Sequence, residues 1–61
     1  IFALFLGCLL ELSQGPCASI NIRFYYNNLT STCQEFTYGG CNGNENNFKE
    51  LAECEHFCTK P

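Results

Sequence analysis

The residues with the most available chemistry are the six cysteines among 61 residues. Thiols can hold a metal, attack a substrate or pair with one another. The intervals between successive cysteines are 8, 15, 7, 12 and 3 residues, with no paired two-residue spacings, and the only histidine, His56, stands between Cys54 and Cys58. That is not a zinc pattern, so neither metal nor cofactor is expected. Nucleophilic catalysis fares no better: the chain has no aspartate, and Ser13, Ser19 and Ser31 have no evident base, so an enzyme is not expected. Pairing remains. Cysteine at about one residue in ten is the density of a disulfide scaffold, formed in an oxidising space, which implies a secreted protein. Six cysteines allow 15 pairings, and spacing alone does not choose among them.

A second constellation is Gly15-Pro16-Cys17-Ala18-Ser19-Ile20, with Tyr38-Gly39-Gly40-Cys41 expected to lie beside it. A loop cysteine followed by a small residue, set against a Gly-Gly-Cys turn, suits rigid presentation of backbone rather than catalysis. Gly39 and Gly40 would let one loop approach the other closely.

The elements that must hold these loops are few. At 61 residues the chain is one domain that buries too little apolar surface to offset its conformational entropy comfortably. Three bridges, each worth ~3 kcal/mol for a loop of about 15 residues, would decide whether it folds. Net charge is −3, with Arg23, Lys49 and Lys60 the only cations, so a nucleic-acid partner is excluded for want of a basic patch.

Asn21 to Asn27 is β-rich, with Ile22, Phe24 and Tyr26 on one face and Arg23 and Tyr25 on the other. A polar turn follows, and Thr32 to Tyr38 is β-prone again, so the two runs predict an antiparallel hairpin whose packing uses Phe24 and Phe36. Asn28-Leu29-Thr30 at its tip is an N-glycosylation acceptor. Asn42 to Asn47 is too polar for a core and suits a loop whose side chains bond backbone, ended by a buried Phe48. Glu50 to Cys58 predicts a short helix with Leu51, Cys54 and Cys58 on one face, acidic residues near its start, and Glu50 as a poor N-cap.

Residues 1–10 carry no charge and only Gly7 outside the apolar class. The stretch is too short to span a bilayer, so no membrane span is expected. Residues 1–7 read as an apolar N-terminal arm or a targeting remnant, residues 8–58 as the domain and residues 59–61 as a tail. The protein is expected to be a monomer, with self-association through residues 1–6 open to it.

The cysteine spacing, with Gly15-Pro16-Cys17, Arg23-Phe24-Tyr25-Tyr26-Asn27, Phe36, Tyr38-Gly39-Gly40-Cys41, Asn46-Asn47-Phe48 and Glu53-Cys54, resembles a Kunitz-type (BPTI-like) inhibitor domain. The resemblance implies a small disulfide-rich α+β fold: a twisted two-stranded antiparallel hairpin, a C-terminal helix and three disulfides, Cys8 with Cys58, Cys17 with Cys41, and Cys33 with Cys54. It implies a secreted serine protease inhibitor with its reactive bond between Ala18 and Ser19. Gly15, Pro16, Cys17, Ile20, Asn21 and Ile22 would flank that bond, with Thr37, Gly39, Gly40, Cys41 and Asn42 as a supporting loop. Where the family often has Lys or Arg, this chain has Ala18, which suits an elastase-like pocket better than a trypsin-like one. Leu9 to Gln14 is also less polar than is usual, and Glu50 replaces the common Ser or Thr cap. The alternatives are a non-inhibitory extracellular module and an ion-channel-blocking toxin; the toxin would need exposed cations that are scarce here.

Overall fold

The computed structural model describes residues 6–59; the readings made on residues 1–5 and 60–61, the apolar arm and the tail end, lie outside the described residues. The order is a 3-10 turn Leu6–Leu9, strand β1 Asn21–Asn27, strand β2 Thr32–Tyr38 and helix α1 Leu51–Cys58. Gly7, assigned above to the arm, is buried inside the 3-10 turn beside Cys8, because the bridge from Cys8 to the end of α1 draws the chain inward one residue earlier.

The strands pair antiparallel with Asn21 opposite Tyr38 and Asn27 opposite Thr32. Residues 28–31 close the hairpin. Asn27 makes that turn, its Oδ1 accepting from the Leu29 N–H at 2.9 Å and its carbonyl from the Thr30 N–H at 3.3 Å, and Ser31 takes a left-handed φ of 59°. The register sets the faces. Phe24 and Tyr26 lie with Cys33 against Cys8, Phe48, Cys54 and Cys58, which form the core cluster. Phe36 packs too, but opposite Arg23, on the other face from Phe24. It is buried among aromatic neighbours, 5.6 Å from the Tyr25 ring and 6.5 Å from that of Tyr38, both edge-on. Both faces of the hairpin are thus used, since side chains alternate along each strand.

Phe48 joins from beyond β2. Its N–H and carbonyl exchange 2.8 Å hydrogen bonds with those of Phe24, adding a single bridge on the free edge of β1, and its ring stacks 6.0 Å from that of Phe57. Helix α1 begins after Glu50, which has a suitable extended backbone but no side-chain capping bond. Glu53 supplies a partial substitute, its Oε1 accepting from the Lys49 N–H at 3.3 Å. The expected apolar face is shorter than predicted: Cys54 and Cys58 are buried but Leu51 is 41% exposed. Burial follows the bridges, whose cysteines are Cys54 and Cys58 and lie C-terminal to Leu51. Among the described residues no helix is long and apolar enough to cross a membrane.

Three disulfides join these parts. Cys8 pairs with Cys58, Cys17 with Cys41 and Cys33 with Cys54, at Cα separations of 5.6, 5.7 and 6.2 Å, within the usual bridging range.

The polar run after β2 differs from expectation at one residue. Its side chains do bond backbone, but Asn46, read as loop surface, is 1% exposed. Its Oδ1 accepts from the Tyr26 N–H at 2.8 Å, and its Nδ2 donates to the Leu10 carbonyl at 2.9 Å and the Tyr26 carbonyl at 3.0 Å. Both amide hydrogens are used, so burial carries no unpaired polar atom. Asn46→Ala would orphan three backbone groups, each worth ~1–3 kcal/mol when buried. Denaturant unfolding of the oxidised protein should therefore show a loss of about 3 kcal/mol or more.

Candidate functional site

The chain between the 3-10 turn and β1 has no regular secondary structure from Glu11 to Ile20, and Pro16, Cys17, Ala18, Ser19 and Ile20 are all exposed. Ile20 is 80% exposed. An unpaired run of this kind would ordinarily sample many conformations. Here three kinds of contact hold it to residues 39–43, which leave the end of β2 on the same side of the molecule.

The first is the Cys17–Cys41 bridge. The second is a pair of backbone hydrogen bonds through one residue: the Ser19 N–H donates to the Gly39 carbonyl at 3.1 Å, and the Gly39 N–H donates to the Gln14 carbonyl at 2.9 Å. Gly39 thus clips the loop on both sides of Ala18. The third is steric fit. Gly39 is buried, and a Cβ there would run into the Cys17 carbonyl oxygen, so only glycine permits this approach. Gly15 meets the opposite segment just as closely, against the Cys41 carbonyl, and has a φ of 75°.

Residues 39–43 are themselves held. The Tyr38 hydroxyl donates to the Asn42 carbonyl at 2.8 Å, and Asn42 takes a left-handed φ of 58° that Asn tolerates. Gly43 passes beside the Tyr38 ring. On the ring's own strand face, the Arg23 guanidinium stands 5.0 Å from the ring centroid and donates to Asn47 Oδ1 at 2.9 Å. Asn21 Nδ2 donates to the Tyr38 carbonyl at 3.2 Å, fixing the point where the loop enters β1.

The structure therefore brings Gly15, Pro16, Cys17, Ala18, Ser19 and Ile20 beside Gly39, Gly40, Cys41 and Asn42. Asn21 and Ile22 are not loop residues but the start of β1, and Thr37, opposite Ile22, lies in β2. Gln14 was missed from sequence. Its contribution is its carbonyl, which every residue type carries, so no side-chain signal marks it. All six cysteines are consumed in bridges, and among the described residues no group of three or more His, Cys, Asp or Glu could hold a metal. The arrangement presents an exposed backbone segment pinned on both sides of Ala18.

Comparison with known proteins agrees with this geometry: residues 7–59 match the Kunitz/bovine pancreatic trypsin inhibitor domain. The chain belongs to the Kunitz-type serine protease inhibitor family. It is a family of inhibitors, not of enzymes. This Kunitz chain is 48% identical over 54 residues to the Kunitz-type serine protease inhibitor kunitoxin-Tel1 of Telescopus dhara, covering 88% of the chain and 60% of that protein. It thus spans about three fifths of that relative's length. It is 48% identical over 52 residues to PI-actitoxin-Aeq3c of Actinia equina, covering 85% of the chain and 91% of that protein. Among solved structures it is similar, with a TM-score of 0.86 and 34% identity over 90% of this chain and 93% of the other, to one described by the words "Pore-modulating toxins exploit inherent slow inactivation to block K+ channels".

Two measurements probe the clamp. Cys17 is exposed, whereas Cys8, Cys54 and Cys58 are buried. Titration with a thiol reductant followed by alkylation and mass mapping should label Cys17 and Cys41 before any other cysteine, leaving the hairpin and helix folded. Gly39→Ala should push the two segments apart and strip the clip of its hydrogen bonds. Hydrogen-exchange protection of the Ser19 amide should then fall about tenfold or more, equivalent to ~1.4 kcal/mol, while the other two bridges still form.

Proposed function

We propose that this Kunitz domain is secreted and inhibits serine proteases of the chymotrypsin fold reversibly, by occupying the active site as a substrate would. The scissile position is the Ala18–Ser19 bond. The observation that carries the reading is the clamped loop: Ala18 is exposed, and the residues on either side of it are tied to Gly39 and Cys41. A loop already held in its bound shape loses little conformational entropy on entering a cleft. Cleavage then gains nothing, because the new amine at Ser19 stays beside the acyl group at Ala18. At so high an effective concentration it re-forms the bond in competition with hydrolysis. The secreted reading is supported by three closed bridges, which persist in an oxidising space.

Target choice turns on Ala18. A trypsin-like pocket holds a buried carboxylate, and a methyl group leaves it unmatched, a loss on the order of several kcal/mol. A shallow apolar pocket of the elastase type accepts alanine, forgoing ~1–3 kcal/mol relative to a better-filling Val or Leu. Ile20 and Ile22, both exposed, offer apolar contact on the leaving-group side. The reading is therefore a moderate elastase-type inhibitor.

Block of a K+ channel is a second reading, supported by the likeness to the pore-modulating toxin. Plugging a cation pore calls for an exposed positive group. Arg23 is engaged with Tyr38 and Asn47, which leaves Lys49 among the described residues. The protease reading is the better supported.

Inhibition assays across a panel of serine proteases should show activity against elastases and little against trypsin. Ala18→Arg should raise trypsin inhibition by at least a hundredfold, about 3 kcal/mol, without loss of folding, since position 18 is exposed. Elastases left untouched by the wild type and trypsin left untouched by Ala18→Arg would overturn the inhibitor reading in favour of an inert extracellular module.

A further inference from the structure

We propose that Asn28 is an N-glycosylation site, and that its glycan stands at the end of the molecule remote from Ala18. The proposal rests on the secreted reading, since the modification occurs on chains entering the secretory pathway. Asn28-Leu29-Thr30 is the single place in the chain where an asparagine is followed two positions later by serine or threonine.

The structure distinguishes Asn28 from its neighbour. The Asn27 amide is committed to the turn, its Oδ1 accepting from the Leu29 N–H at 2.9 Å and its Nδ2 donating to Gln34 Oε1 at 3.4 Å. Asn28 is exposed, and its amide makes no hydrogen bond among the described residues. Next to it Leu29 is 91% exposed, so nothing packs over the turn. The fold neither needs the Asn28 amide nor covers it.

Position matters too. Ala18 precedes β1 and Asn28 follows it. A strand of 7 residues therefore separates the clamped loop from the acceptor, a rise on the order of 20 Å at ~3.3 Å per residue. β2 runs back alongside, so Gly39 and Cys41 share the far end with Ala18. A glycan on Asn28 points away from any protease seated on the loop. Beside Asn28 lies a hollow of about 240 Å³, lined by Leu10, Leu12, Tyr25, Tyr26 and Leu29 among others.

The step is a glycosyl transfer. Asn28 Nδ2 forms a bond to the anomeric carbon of an oligosaccharide carried on a lipid pyrophosphate. The bond from that carbon to the pyrophosphate oxygen breaks, the lipid pyrophosphate leaves with the electron pair, and the amide nitrogen gives up one proton.

The test is expression of the full chain in eukaryotic cells with a secretory leader, followed by mass mapping of the peptide bearing Asn28 and digestion with peptide N-glycosidase. The expected result is a hexosamine-bearing peptide whose extra mass is lost on digestion, leaving an aspartate in place of the asparagine. The mass should be absent from Asn28→Gln and from Thr30→Ala and present in Thr30→Ser. Wild type and Asn28→Gln should inhibit equally. An unmodified Asn28 in secreted, fully bridged, inhibitory protein would overturn the glycan and spare the inhibitor reading. Modification that abolishes inhibition would overturn the remote placement. Protein that stays reduced inside the cell would overturn the secreted reading and the glycan with it.

Discussion

A chain of this size cannot bury enough apolar surface to hold itself together, and the composition of its interior shows what takes over. Among the described residues the buried hydrophobic side chains are Cys8, Phe36, Phe48, Cys54 and Cys58, so most of them are half-cystines. The bridges close loops with sequence separations of 50, 24 and 21, for which the chain-entropy estimate is about 3–4 kcal/mol each. Cys8–Cys58 and Cys33–Cys54 also take part in the packing: their half-cystines share one core cluster with Phe24, Tyr26 and Phe48. Covalent links and hydrophobic contacts act here at the same residues.

Polar chemistry does the rest of the joining. Asn46 connects the segment after the 3-10 turn to β1 through three hydrogen bonds. An apolar residue of the same size would leave those backbone groups unpaired, which is the more costly outcome in a low-dielectric interior. Among the described residues no buried side-chain nitrogen or oxygen lacks a partner. A small domain can spend a buried position on an asparagine only because that side chain satisfies every group around it.

The two ends of the hairpin divide the remaining work. At one end, Gly39 and the Cys17–Cys41 bridge tether an irregular stretch that has no ladder or helix of its own. At the other end the turn is stabilised by hydrogen bonds of Asn27, Thr30, Thr32 and Gln34, which leave the Asn28 and Leu29 side chains open to solvent. The proposed protease contact and the proposed glycan therefore would not compete for the same backbone.

Much of this was legible in the residues. Alternation in Asn21–Asn27, the polar turn and the cysteine spacing marked the hairpin, the helix and the scaffold class, because strand periodicity, turn chemistry and redox chemistry are local properties. The pairing of the cysteines came from family resemblance, since distance across the fold is not written in spacing. Tertiary structure alone decided three points. Phe36 and Phe24 take opposite faces because register sets partners across strands. Asn46 is buried because its three backbone partners come from two remote segments, whose meeting no local pattern records. Gln14 joins the clamp through a carbonyl that any residue would supply. The sequence by itself determined which elements form and which loop is presented; the fold determined what fills the interior and what holds that loop still, because those depend on contacts between residues far apart in the chain.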